Sequence, residues 1–180
     1  MELLIPGLIL VALMVWASTK IKRSAAQAYA AESIETEYFA IEKPDGLIDL
    51  AEPEDGVLFS ARSKDLGRDE AEDLHHVVAK IEFFSGETFG GMKTVVSQRG
   101  EKIMSETPLT IGGARCLALE TEALSGMVRT AKFYRWIEAV DGIFQLAVVV
   151  LADHRDEYSE RIESMAASFR IKNVETAPEV

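Results

Sequence analysis

Residues 143–151, Ile-Phe-Gln-Leu-Ala-Val-Val-Val-Leu, follow directly on Asp141-Gly142, with a second strand-like run over residues 129–140 on the other side. Asp-Gly accepts the positive φ angles of a tight two-residue turn whose twist matches the flanking strands, so this segment predicts an antiparallel hairpin. Its second arm is apolar on both faces. Such a strand has to lie inside a sheet that is covered from both sides, which restricts the fold to a sheet between packed layers.

The rest of the chain supplies those layers. Residues 35–42, with Tyr38, Phe39 and Ile41, run into the turn signal Lys43-Pro44-Asp45-Gly46, and residues 57–61 form a second apolar run after the acidic loop 52–55 and Gly56. Leu74, Val77, Val78 and Ile81 recur at i, i+3, i+4 and i+7, which predicts an amphipathic helix over residues 68–84. Residues 92–98 and 102–105 read as short strands, and Gly112-Gly113 opens another over 114–122. Asp153 is placed to cap a last helix, with Tyr158, Ile162, Met165, Ala166 and Phe169 as its buried stripe. The expected fold class is α+β: an antiparallel sheet with helices packed on it.

The N-terminus is of a different kind. Residues 3–17 are apolar throughout, with Leu3, Leu4, Ile5, Leu8, Ile9, Leu10, Val11, Leu13, Met14, Val15 and Trp16 as the large members, and Ser18, Thr19 and Ile21 bring the run to the lower end of what spans a hydrocarbon core. Pro6 suits a first helical turn and Trp16 a membrane interface. The cations Lys20, Lys22 and Arg23 follow the run instead of preceding it, unlike a secretory signal, so the expectation is an uncleaved single-pass anchor in a bacterial inner membrane. By the same cations the N-terminus lies outside and the domain in the cytoplasm. Cleavage near Ala17 would deliver it to the periplasm instead. The expected organisation is thus an anchor over 1–23, a helical stalk over 24–35 continuing to about Ser33, a domain over 36–173 and a frayed tail over 174–180.

Charge limits the partners. Residues 24–180 hold 16 basic and 29 acidic residues, a net −13, which repels nucleic-acid phosphates and anionic lipid from the general surface. The bilayer is therefore expected to be met through the N-terminal helix, with an upright stalk holding the domain off the leaflet. The single cysteine, Cys116, excludes an intramolecular disulfide.

Three segments together resemble the PsbP-like superfamily, an α-β-α sandwich that includes the Mog-type Ran-binding proteins and the DcrB-like bacterial lipoproteins. They are Phe39-Ala40-Ile41-Glu42-Lys43-Pro44-Asp45-Gly46, Ile111-Gly112-Gly113-Ala114-Arg115, and residues 162–171 ending in Ser168-Phe169-Arg170-Ile171; the aromatic arm Phe133-Tyr134-Arg135-Trp136-Ile137 fits the same layout. The likeness spans about residues 36–172. It implies a non-enzymatic module that docks on larger assemblies, as PsbP does on a photosystem, and it carries over no binding residue.

Chemistry is sparse. No GxSxG, HExxH, paired-carboxylate, Walker or dinucleotide motif occurs, so no catalytic residue, cofactor or metal is expected. On a helix, Glu72 or Asp73 would come beside His76, but adjacent His75 and His76 would point about 100° apart, which favours a solvated face over a metal site. Arg115 and Cys116 as strand neighbours face opposite ways, and a buried thiol is expected. Asp69, Glu70, Glu72 and Asp73, with the acidic loop 52–55, are the expected contacts for a basic partner in a membrane protein complex. Phe83, Phe84 and Phe89, in the Gly-rich segment 83–91, offer an apolar alternative. A rival reading is a small-ligand binder with an apolar pocket lined by Trp136 and Phe144.

Overall fold

The computed structural model describes residues 13–20, 26–64 and 75–172. Five strands, β1 (Glu32–Glu35), β2 (Phe39–Lys43), β3 (Leu47–Asp49), β4 (Val57–Ser63) and β5 (Val77–Ser85), precede helix α1 (Phe89–Gln98). Then come β6 (Lys102–Ile111), β7 (Ala114–Ser125), β8 (Val128–Ala139), β9 (Gly142–Leu151), a 3-10 turn at Ala152–His154, helix α2 (Arg155–Ser168) and β10 (Arg170–Ile171).

The large sheet is antiparallel, in the order β3-β4-β5-β9-β8-β7-β6. Strand β9 lies in its middle and is buried on both faces, as its composition predicts: Phe144, Leu146 and Val148 enter one core and Ile143 the other. The first core is closed by the α2 stripe Tyr158, Ile162, Met165 and Ala166 and by the small sheet β1-β2-β10, where Phe39 sits edge-on to Phe59 and Phe169 at 6.5 and 5.9 Å. The second core is closed by Met92 and Val96 of α1 over Leu117, Leu119, Tyr134 and Trp136. The result is the expected sandwich of helices on both faces of an antiparallel sheet.

Several local expectations are overturned. Residues 77–85 form a strand, not a helix, because Val77, Ala79, Ile81 and Phe83 alternate with less buried neighbours while β4 and β9 supply hydrogen bonds on both sides. The run satisfied two periods at once, and tertiary pairing chose the period of two. Residues 92–98 belong to a helix, not a strand. Gly90 and Gly91 cost α1 about 1 kcal/mol each in propensity, and Thr94, Val95 and Val96 are β-branched. Burial of Met92 and Val96, about 1.5–3 kcal/mol each, offsets this, and Thr88 caps the N-terminus by accepting from the Gly91 amide at 3.2 Å.

The central hairpin forms, but its turn is one residue earlier than predicted. Ala139 pairs with Gly142, so Val140 and Asp141 occupy the turn and Gly142 opens β9. Gly142 is required there for another reason: a Cβ would lie 2.1 Å from the Phe84 carbonyl oxygen of β5. The turn with two positive φ values joins β6 to β7, at Gly112 (+59°) and Gly113 (+87°). Asp153 lies in the 3-10 turn and does not cap α2, whose first residue follows His154 without a side-chain cap.

The stalk expected to stay helical to about Ser33 is shorter. Ala26, Gln27 and Ala28 are helical, and Glu32–Glu35 already pairs with β2. Of the expected anchor, residues 13–20 are helical with Leu13, Met14, Val15 and Trp16 exposed and Lys20 5.3 Å from the Trp16 ring. Leu3, Leu4, Ile5, Leu8, Ile9, Leu10, Val11, Lys22 and Arg23 lie outside the described residues. Among the described residues no helix is long and apolar enough to cross a membrane.

Candidate functional site

One end of the large sheet gathers the features that sequence reasoning left unconnected. There β3 begins opposite the end of β4, β5 begins opposite the end of β9, and β7 turns into β8. The chain also enters the domain at this end, and it is held there by Lys43. This last residue of β2 is fully buried, and its Nζ donates to the carbonyls of Ala28 (3.2 Å), Ala30 (2.8 Å) and Leu47 (2.9 Å). The Gly46 amide donates to the Tyr29 carbonyl at 2.8 Å, with Gly46 at φ +85° in the turn that follows. Asp45 in the same turn pairs with Arg161 of α2 at 3.3 Å. The Lys-Pro-Asp-Gly motif thus ties the entering segment to β3 and α2, a role its turn chemistry alone does not announce.

Beside it the fold brings together histidines that lie far apart in sequence. His76 stacks on His154 with ring centroids 3.7 Å apart and planes 21° from parallel, and His154 Nδ1 is 3.0 Å from Glu157. Tyr158 stands edge-on to His76, and Arg161 is close enough to act on Glu157. His75 points elsewhere, its Nδ1 donating to the Ser63 carbonyl at 2.7 Å. Nearly parallel imidazoles carry their lone pairs in parallel planes, so this pair does not converge on one cation; among the described residues no group of three or more ligands suits a metal. Burial first, and then the neighbouring His154, hold His76 below its ordinary value, with Glu157 opposing.

That shift has a sign. A histidine with a folded value under 6.5 binds protons more readily unfolded, so the stability is whole above that pH and declines as the pH falls through the folded value. We expect the thermal midpoint of the wild type to fall between about pH 7.5 and 5.5, and His154→Gln to make that slope shallower by removing one of two like charges. Identical slopes for the two proteins would remove the pair from the pH response.

A second polar cluster lies under α1. Glu101 follows the helix after Gly100 (φ +74°), is 6% exposed, and accepts from Thr121 Oγ1 (2.6 Å), Lys132 Nζ (2.6 Å) and Tyr134 OH (3.0 Å). Burial alone would raise its pKa, but the bonds from Lys132, Thr121 and Tyr134 together with the Lys132 charge outweigh that and lower it. Burial and the adjacent carboxylate push the Tyr134 hydroxyl up. A saturated, ionised carboxylate here is a tie between helix and sheet, not a general base. Trp136 Nε1 donates to Gln145, which donates to Glu82, each at 2.8 Å, so this face is threaded by satisfied polar contacts.

The other sequence candidates divide plainly. Cys116 is buried, and burial raises its thiol pKa against the pull of Arg135, the cation that strand alternation brings near it; Arg115 faces outward and pairs with Glu138. Phe83 is core, 4.8 Å from Phe144, and Phe84 and Phe89 are partly buried against the α1 cluster, so residues 83–91 are not an exposed aromatic loop. Asp69, Glu70, Glu72 and Asp73 lie outside the described residues. The pocket expected between Trp136 and Phe144 does not form: the two side chains enter opposite cores and are 0% and 2% exposed.

No family model matches the sequence, and no curated protein matches it. Solved structures do match its fold. The solution structure of cyanobacterial PsbP (CyanoP) from Synechocystis sp. PCC 6803 aligns with a TM-score of 0.57 at 13% identity, covering 80% of this chain and 94% of that one. LpqN of Mycobacterium tuberculosis, described as involved in cell envelope biogenesis, aligns at 0.54 with 11% identity, covering 80% and 91%. A Bacteroides thetaiotaomicron protein aligns at 0.51 with 12% identity over about half of its own length. The chain therefore has a PsbP-like fold.

Proposed function

We propose that this PsbP-like domain is a non-catalytic accessory, assembly or stabilising factor of an inner-membrane protein complex, tethered to the bilayer by its N-terminal apolar segment. The observation that carries the reading is the Lys43 clamp. A fully buried ammonium bonded to two carbonyls of the entering segment fixes that segment's direction relative to the domain, as a tether that orients the domain requires. The fold shared with cyanobacterial PsbP and LpqN agrees with an accessory role. The ionised interior groups, Lys43 and Glu101, are consumed by internal bonds, which agrees with a body built to present a surface. The cations Lys20, Lys22 and Arg23 after the apolar run favour a cytoplasmic domain, and the net −13 of residues 24–180 suits a partner with a basic face.

Purification of the tagged full chain in mild detergent tests this. The expected result is a stoichiometric integral-membrane partner that dissociates as salt is raised, together with an inactive C-terminal alkaline phosphatase fusion in cells. Recovery of the monomer alone under several growth conditions would overturn the proposal, and an active phosphatase fusion would overturn the orientation.

A further inference from the structure

The hairpin joining β7 to β8 extends past its neighbours. The last pair between β6 and β7 is Lys102 with Glu122, and the last between β8 and β9 is Thr130 with Leu151, whereas β7 and β8 continue through Leu124 with Arg129 to Ser125 with Val128. The two-stranded finger therefore projects roughly 10 Å, at about 3.3 Å per residue. It carries Leu124 (68% exposed), Met127 (99%) and Val128 (38%) around Gly126. Residues 123–130 contain no acidic residue and one cation, Arg129, on a chain that is otherwise strongly acidic.

Its position names the surface it can meet. The finger lies at the end of the sheet where Lys43 holds Ala28 and Ala30, across β4, β5 and β9 from β3, about 20 Å to the side at roughly 4.8 Å per strand. From the last residue of the apolar run, Ile21, to the clamped Ala28 the chain spans seven residues, or at most about 25 Å. We propose that the finger tip, Leu124, Met127 and Val128 with Arg129, is a second contact with the bilayer, so that the domain stands on the membrane at two points. The inference rests on the tether reading above. The acidic body is repelled by an anionic leaflet, but a Debye length of about 8 Å screens charges set back from it, and residues 123–130 of the finger carry no acidic side chain.

The test uses the full chain with Cys116→Ala, the buried thiol, and a single new cysteine at position 127 (Met127→Cys) or, at the opposite end of the sheet, at Val140 (Val140→Cys), each labelled with an environment-sensitive fluorophore. The proteins are reconstituted into phosphatidylethanolamine–phosphatidylglycerol vesicles, with and without headgroup-nitroxide lipid. The label at 127 should shift to the blue, brighten severalfold and be quenched by the nitroxide, and the label at 140 should do none of these. If the chain resists carbonate extraction yet both labels report water, the finger proposal fails and the tether stands. If carbonate strips the chain from the vesicles, the tether fails and the finger with it.

Discussion

Replacing Lys43 with methionine should lower the unfolding free energy by about 2–4 kcal/mol and release the segment that enters the domain. One ammonium satisfies the carbonyls of Ala28, Ala30 and Leu47, and hydrogen bonds to a charged group contribute about 1.5–3 kcal/mol each before the cost of burying the charge is subtracted. Methionine fills nearly the same volume, so the loss reports the unpaired carbonyls and not a cavity. The Gly46 amide, bonded to Tyr29, should lose hydrogen-exchange protection more than any amide of β9. Denaturant curves for the two proteins that coincide, with Gly46 still protected, would show that the clamp is incidental.

Which parts of this fold were legible follows from how local their causes are. Strand β9 declares itself because no amphipathic arrangement accommodates Phe144, Leu146 and Val148 together with Ile143 unless both faces are covered. Helix α2 is equally plain, since its stripe from Tyr158 to Phe169 has only one face to bury. Residues 77–84 were ambiguous in principle. Val77 and Ile81 are buried under either period, and the choice rests on β4 and β9, strands that approach from 20 residues before and 60 after. Helix α1 runs against its own propensities, so the only local trace of it is Thr88 at the cap.

The candidate site was less legible still, because its contacts are long-range. A lysine before Pro-Asp-Gly looks like a turn flank until Ala28 and Ala30 are brought to it. His76 acquires its partner only when β9 delivers His154 to the start of β5. The aromatic residues of 83–91 were sorted by topology too, since Phe83 faces the α2 core and Phe89 the α1 core. A pattern of hydrophobicity shows that a side chain will be covered, not by what.

The Glu101 cluster makes the second large prediction, and the charge pair at its centre sets the magnitude. Glu101→Ala strands Thr121, Tyr134 and the Lys132 ammonium, the first two in the interior, and should cost about 3–4 kcal/mol, near the range for breaking a buried ion pair. Glu101→Gln keeps one acceptor oxygen, at the Oε2 position that serves both Thr121 and Tyr134, loses the one facing Lys132, and should cost less. Adding Lys132→Met to Glu101→Ala should recover part of the loss, because the strongest penalty in the single variant is an unpaired cation 22% exposed. Acid supplies an independent check. Glu101 has its pKa lowered from the ordinary 4.5, so the unfolded chain takes up its proton first; this contribution is complete above that pH and disappears as pH falls through the folded value. Wild type and Glu101→Gln should therefore differ at pH 7 and converge in the acid range. Parallel stability curves down to about pH 3 would mean that the ionised carboxylate is not what ties α1 to the sheet.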